Sequence, residues 1–133
     1  MTDVLGFSGY SLEEMNNYNK KLVEALLDLD NTTQLGIANS IWIKKGFGVH
    51  DDFVSVNKKM YDAQVQELDF ASPKAPDIIN GWCAGKTNNC IPKVLNEIPE
   101  TARLYLLNAL YFKGIWKNQF KKIGYGRRGF YEC

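Results

Sequence analysis

With 133 residues, 45% of them hydrophobic and 23% charged, the chain has the make-up of one globular domain and is too apolar for wholesale disorder. Sixteen Lys and Arg stand against fifteen Asp and Glu, a formal net charge of +1 that excludes a global signal for nucleic acid or an anionic membrane. Cys83, Cys90 and Cys133 are odd in number and form no CxxC spacing, which speaks against a disulfide framework and against a zinc site.

Ser11-Leu12-Glu13-Glu14 predicts a capping box, the Ser11 hydroxyl taking the Glu14 amide and the Glu14 carboxylate reaching back. Leu12, Met15, Leu22, Leu26 and Leu29 then recur at helical spacing, so a surface helix with one buried face is expected up to Asp30-Asn31-Thr32-Thr33. Leu35 to Ile43 alternates with period two. Leu35, Ile37, Asn39, Ile41 and Ile43 fall on one face, and Ala38, Ser40 and Trp42 on the other, which predicts a strand covered on both sides. Asp51 or Asp52 is expected to cap a second helix with Phe53, Val56 and Met60 on its apolar stripe. Ala63 to Phe70 reads as a second strand, its phase shift between Val65 and Leu68 suggesting a bulge. Pro76 suits the first turn of a third helix bearing Ile78, Ile79, Trp82 and Cys83, which Thr87-Asn88-Asn89 stops. Cys90 to Glu100 is a connector with a helical turn expected around Val94 and Leu95. Ala102 to Phe112 is apolar on both faces, so a central strand is expected, with Asn108 as a buried amide that needs partners. Alternation of helices and strands favours parallel strands joined by right-handed crossovers.

Chemistry is sparse. His50 stands alone before a helix, where a surface or capping role is expected, and no nucleophile–base pair accompanies it. Gly124-Tyr125-Gly126-Arg127-Arg128-Gly129 matches GxGxxG literally but lacks the strand–turn–helix context that motif requires. Lys113, Lys117, Lys121, Lys122, Arg127 and Arg128 make the end basic, and a solvated tail is the simpler reading than a nucleic-acid site. Asn31-Thr32-Thr33 is read as a turn rather than a glycosylation sequon, and Asp51 with Asp52 is too little for a metal. Cys83 and Cys90 read as small core or edge residues. No enzyme, no cofactor, no metal, no nucleic acid and no membrane partner is expected. The opening Met1 to Phe7 holds no leader pattern, and no apolar run approaches the roughly 18 residues that span a bilayer. Localisation stays open, a secreted or periplasmic parent being compatible with this.

Four segments carry a resemblance. They are Ala38-Asn39-Ser40-Ile41-Trp42; Phe53 with Tyr61-Asp62-Ala63 and Asp69-Phe70; Ile79-Asn80-Gly81-Trp82 with Thr87 and Ile91; and Leu107-Asn108-Ala109-Leu110-Tyr111-Phe112-Lys113-Gly114-Ile115-Trp116 with Phe120. In order and spacing they resemble the serpins over roughly residues 4–120, a middle part of that fold well short of half.

The resemblance implies an α+β fold in which three helices (D-, E- and F-like) pack with three strands of the large central sheet, taken in the chain order two, one, three. Under it Asn108 falls in the shutter and Trp116 in the breach, while Asn39, Asn80, Trp82, Thr87, Tyr111, Phe112 and Gly114 belong to the structural motif. The family traps a serine or cysteine protease when its cleaved reactive loop inserts into the large sheet, and the strand from Ala102 walls that slot. The loop has no counterpart here, so the expected partner is a target protease of the full-length parent, and the chain alone is not expected to inhibit. A non-inhibitory serpin piece, or a non-catalytic β-edge module that self-associates through the Ala102–Phe112 strand, are the alternatives. Where the family shows Thr-x-Gly-Lys-Ile, Thr87-Asn88-Asn89-Cys90-Ile91 stands, with Asn89 able to take a positive φ. Lys20 and Lys21 lie where some serpins bind glycosaminoglycans, but two lysines read as a solvated face. A partial serpin domain is expected over 1–120 and a divergent basic tail, disordered or frame-shifted, over 121–133.

Overall fold

The computed structural model describes residues 4, 6–28 and 32–116. The elements run α1 (Leu12–Leu27), β1 (Gln34–Lys44), α2 (Asp51–Tyr61), β2 (Gln64–Leu68), α3 (Ala75–Lys86) and β3 (Leu104–Lys113). All six were expected, each within a few residues of its sequence bounds. The predicted tail and the GxGxxG run lie outside the described residues.

α1 starts as its sequence dictates. The Ser11 amide donates to Glu14 Oε2 at 2.8 Å and the Glu14 amide donates to Ser11 Oγ at 3.2 Å, a closed capping box. Its expected buried face is not found. Among the described residues of α1 none is buried, and Leu12 is 71% exposed. The apolar stripe is only half covered, by α2 and β1. α2 departs from expectation at its start: His50, not Asp51 or Asp52, holds the N-cap position and gives no side-chain cap. Asp51 and Asp52 instead lie in the first turn, where their charge complements the helix dipole.

The sheet has the order β2-β1-β3. β2 runs parallel to β1 in an unbroken register from Ser40↔Gln64 to Lys44↔Leu68, so no bulge is present. The phase shift has another cause. Val65 packs with Ile41, Ile43 and Ala63 on one face, and Leu68 packs with Trp42, Phe70 and Ile79 on the other. A strand buried on opposite faces at its two ends shows that pattern without an extra residue.

β3 differs twice from its expectation. It pairs antiparallel with β1, Gln34↔Lys113 through Ile43↔Leu104, and it is the outer strand of the described sheet rather than a central one. The path explains the direction. α3 leaves from the β2 end and finishes beside the start of β1, where the Lys86 carbonyl lies 3.9 Å from a Cβ built on Gly36. The connector then climbs back, and the Lys44 amide donates to the Arg103 carbonyl at 2.9 Å. An even number of passes after β2 brings the chain in from the opposite end. The connector shows bends at Val94 and Asn96 and no helical turn.

Core residues follow the period-two reading of β1. Ile41 and Ile43 serve one face; Trp42, 1% exposed, serves the other beneath α3, its Nε1 donating to Ser40 Oγ at 2.9 Å. The Phe70 and Tyr105 rings meet edge to face beside it, their centroids 5.6 Å apart. On the α3 face β3 is covered, as Ala109 at 3% exposure shows, whereas on the other face Leu106, Leu110 and Phe112 are 57–67% exposed.

Candidate functional site

Two asparagines face one another across β1 and β3. Asn39 and Asn108 are register partners and so share a face. Asn108 Nδ2 donates to Asn39 Oδ1 at 2.9 Å and more weakly to the Ala38 carbonyl at 3.5 Å. Asn39 Nδ2 in turn donates to the Tyr61 carbonyl at the end of α2, at 2.9 Å. The Tyr61 hydroxyl donates to Asn16 Oδ1 of α1 at 2.7 Å. One relay therefore ties both neighbouring helices to the seam between two strands. A depression of about 210 Å³ opens beside it, bordered by Asn57, Tyr61 and Leu106. Asp62 makes this turn possible. Its left-handed backbone, φ 48°, ends α2 and turns the chain into Ala63 and β2.

Asn108 was expected to be buried, and it is exposed. It projects from the outer strand on the face that α1 and α2 cover over β1 and β2 but leave open over β3, beside Leu106 and Leu110. Its amide protons are engaged by Asn39 and Ala38 all the same.

The second constellation is a clamp on α3. Asn80 is 7% exposed, and its Oδ1 accepts from the Val94 amide at 2.8 Å and the Leu95 amide at 2.9 Å. Its Nδ2 donates to the Leu95 carbonyl at 2.8 Å. One side chain thus satisfies three backbone groups of a connector that has no ladder of its own. Thr87, 1% exposed, donates to the Cys83 carbonyl at 2.8 Å and accepts from the Ile91 amide at 3.1 Å. Asn88 and Asn89 follow at φ 51° and 61°, so the positive φ expected of Asn89 is present and Asn88 shares it. The short polar side chain of Asn tolerates this region better than most.

Trp82 is half-buried against the Trp42, Phe70 and Ile79 cluster, and its Nε1 is buried without an acceptor among the described residues. Tyr111 is half-buried, its hydroxyl 3.5 Å from Asn88 Nδ2. Phe112 and Trp116 are exposed, at 64% and 75%. A Cβ on Gly114 would come within 3.0 Å of the Phe112 ring, so that ring must shift before any other residue fits. Burial pushes the Cys83 thiol up from its ordinary value. His50 is exposed. Lys20 faces Glu24 at 4.0 Å on the surface of α1.

Sequence reasoning singled out Asn39, Asn80 and Asn108, named Tyr61 only among the residues of the resemblance, and did not name Asn16. Their link spans 45 residues and follows no local spacing, so only the packing of α1 on α2 reveals it.

Among the described residues these amides act as a scaffold, holding two strands and a connector in place. The profile of the family described as Serpin (serine protease inhibitor) matches residues 1–132. Iripin-3 from Ixodes ricinus is 34% identical over 133 residues, covering 96% of this chain and 34% of its own length. Alaserpin from Manduca sexta is 40% identical over 91 residues, covering 66% of this chain and 23% of its own. Among solved structures, the thermophilic serpin tengpin in its latent state superposes with a TM-score of 0.82 at 32% identity, covering 91% of this chain and 32% of that one. The chain spans about a third or less of the length of these relatives. The described order β2-β1-β3 is also the order that the resemblance gives as strands one, two and three. The chain belongs to the serpin family.

Proposed function

We propose that the chain supplies one wall of the insertion slot in a serine protease inhibitor, and that it does not catalyse a reaction. The observation that carries this reading is the Asn39–Asn108 bridge at 2.9 Å between β1 and the outer strand β3. Such a bridge holds two strands in register while leaving the far edge of β3 available for a further strand. In the family mechanism a protease cleaves the reactive loop, the loop inserts as that strand, and the acyl-enzyme is carried along before it can be hydrolysed. Asn108 acts in the shutter, Trp116 at the breach, and the α3 clamp keeps the connector fixed above the sheet. The whole inhibitor's target is a serine or cysteine protease. Its specificity belongs to the loop, which is not legible in these residues, and the chain alone does not inhibit. The uncovered β3 face and edge also support self-association of the isolated chain.

A graft tests the proposal. The segment of Alaserpin that matches is replaced by the part of this chain aligned with it, over 91 residues, and the product is assayed against a serine protease. Retained formation of a detergent-stable covalent complex is expected. A graft that melts cooperatively but is only cleaved as a substrate contradicts the reading.

A further inference from the structure

Asn80 is followed by Gly81, the dipeptide in which asparagine deamidates most readily. Glycine has no side chain to obstruct its own backbone nitrogen as that nitrogen turns on the asparagine carboxamide. Here the fold opposes the reaction in two ways. Gly81 sits inside α3, where its amide is committed to the carbonyl four residues earlier and its backbone is helical. Asn80 is 7% exposed, and its carboxamide is held at both ends, by the amides of Val94 and Leu95 and by the Leu95 carbonyl.

We propose that Asn80–Gly81 is a fold-gated deamidation site, silent while the α3 clamp is closed and reactive when α3 or the connector opens. The Gly81 nitrogen attacks Asn80 Cγ. A new N–Cγ bond forms, the Cγ–Nδ2 bond breaks, and ammonia leaves with the amide proton. Water then opens the five-membered succinimide to aspartate or isoaspartate. No oxidant, cofactor or enzyme is needed, and water is the sole co-reactant.

The product cannot restore the clamp. The Nδ2 donor to the Leu95 carbonyl is gone, and a carboxylate stands in its place, facing that carbonyl in a buried site. Isoaspartate also lengthens the helix backbone by one carbon. One opening that lasts long enough is thereby recorded permanently, at the point where α3 holds the connector to the rest of the fold.

The test incubates the full chain at mildly alkaline pH, in buffer and in concentrated urea, and measures aspartate and isoaspartate at each position by peptide mapping. Asn96, exposed in the connector and followed by Glu97, is the internal reference. In urea Asn80 is expected to convert well ahead of Asn96, and in buffer its rate is expected to fall by about tenfold or more, the mark of protection by structure. Gly81→Ala is the control that folds: an added Cβ meets nothing within 4 Å, and Ala favours a helix. It should suppress conversion in urea. Asn80→Asp, which carries the product, should speed hydrogen exchange at the Val94 and Leu95 amides. Equal Asn80 rates in buffer and urea overturn the proposal, as does an Asn80 no faster than Asn96 in urea. Unchanged amide protection in Asn80→Asp overturns the claim that the clamp is lost.

Discussion

Asn80 is the residue whose role is clearest, because three partners converge on one carboxamide. Asn80→Ala should cost roughly 1–3 kcal/mol, the penalty of leaving buried backbone groups unpaired, and should release Val94 and Leu95 to exchange. Urea melts with amide exchange on the same sample check both effects. Glu14 makes a pH-dependent prediction. The Ser11 amide first, and then its hydroxyl, hold the Glu14 carboxyl below its ordinary value. A depressed folded-state pKa contributes stability above the unfolded pKa, and that contribution disappears as pH falls through the folded value. The α1 N-terminus should therefore fray on acidification across and below the ordinary carboxylate range, as read by NMR shifts of Leu12 and Glu13. Glu14→Gln, which has no charge to titrate, should show no such dependence. The capping box was fully legible in Ser11-Leu12-Glu13-Glu14, since each partner lies within one turn. The Asn80 clamp was not, since its partners lie 14 and 15 residues away on a segment without periodicity.

At the scale of elements, the sequence revealed which segments are helices and strands but not what covers them. β1 was read correctly on both faces because its two neighbours lie within the chain. β3 was read as central because apolar residues alternate on both its faces; in the described sheet it is the outer strand, and the residues alone could not say that one face lacks a described neighbour. Val65 and Leu68 misled in the same way, since a phase change and a change of covering face look alike in one dimension. The uncovered face of β3 sets an expectation for mutants. Leu106→Lys and Leu110→Lys replace side chains 67% and 57% exposed, so each should shift the stability of the described fold by no more than about 0.5 kcal/mol. Together they should markedly reduce self-association, measured by sedimentation velocity. A double variant that unfolds would mean that this face is packed against part of the same chain.

At the scale of the molecule, two layers flank one mixed sheet. α3 with its connector closes one face; α1 and α2 close part of the other. That second face is finished over β1 and β2 and unfinished over β3, where Leu106, Leu110 and Phe112 join Ile115 and Trp116, 64% and 75% exposed, in an apolar surface. A chain that spans about a third of its relatives and leaves such a surface fits a sheet wall that the rest of a serpin completes. The most direct test is size-exclusion chromatography with light scattering on the 133-residue chain, with circular dichroism on the same fractions. Oligomers with helix and strand signal are expected. A monomer that unfolds in one sharp transition would contradict this, because the β3 face would then be closed by the chain itself and no further part of the fold would be needed.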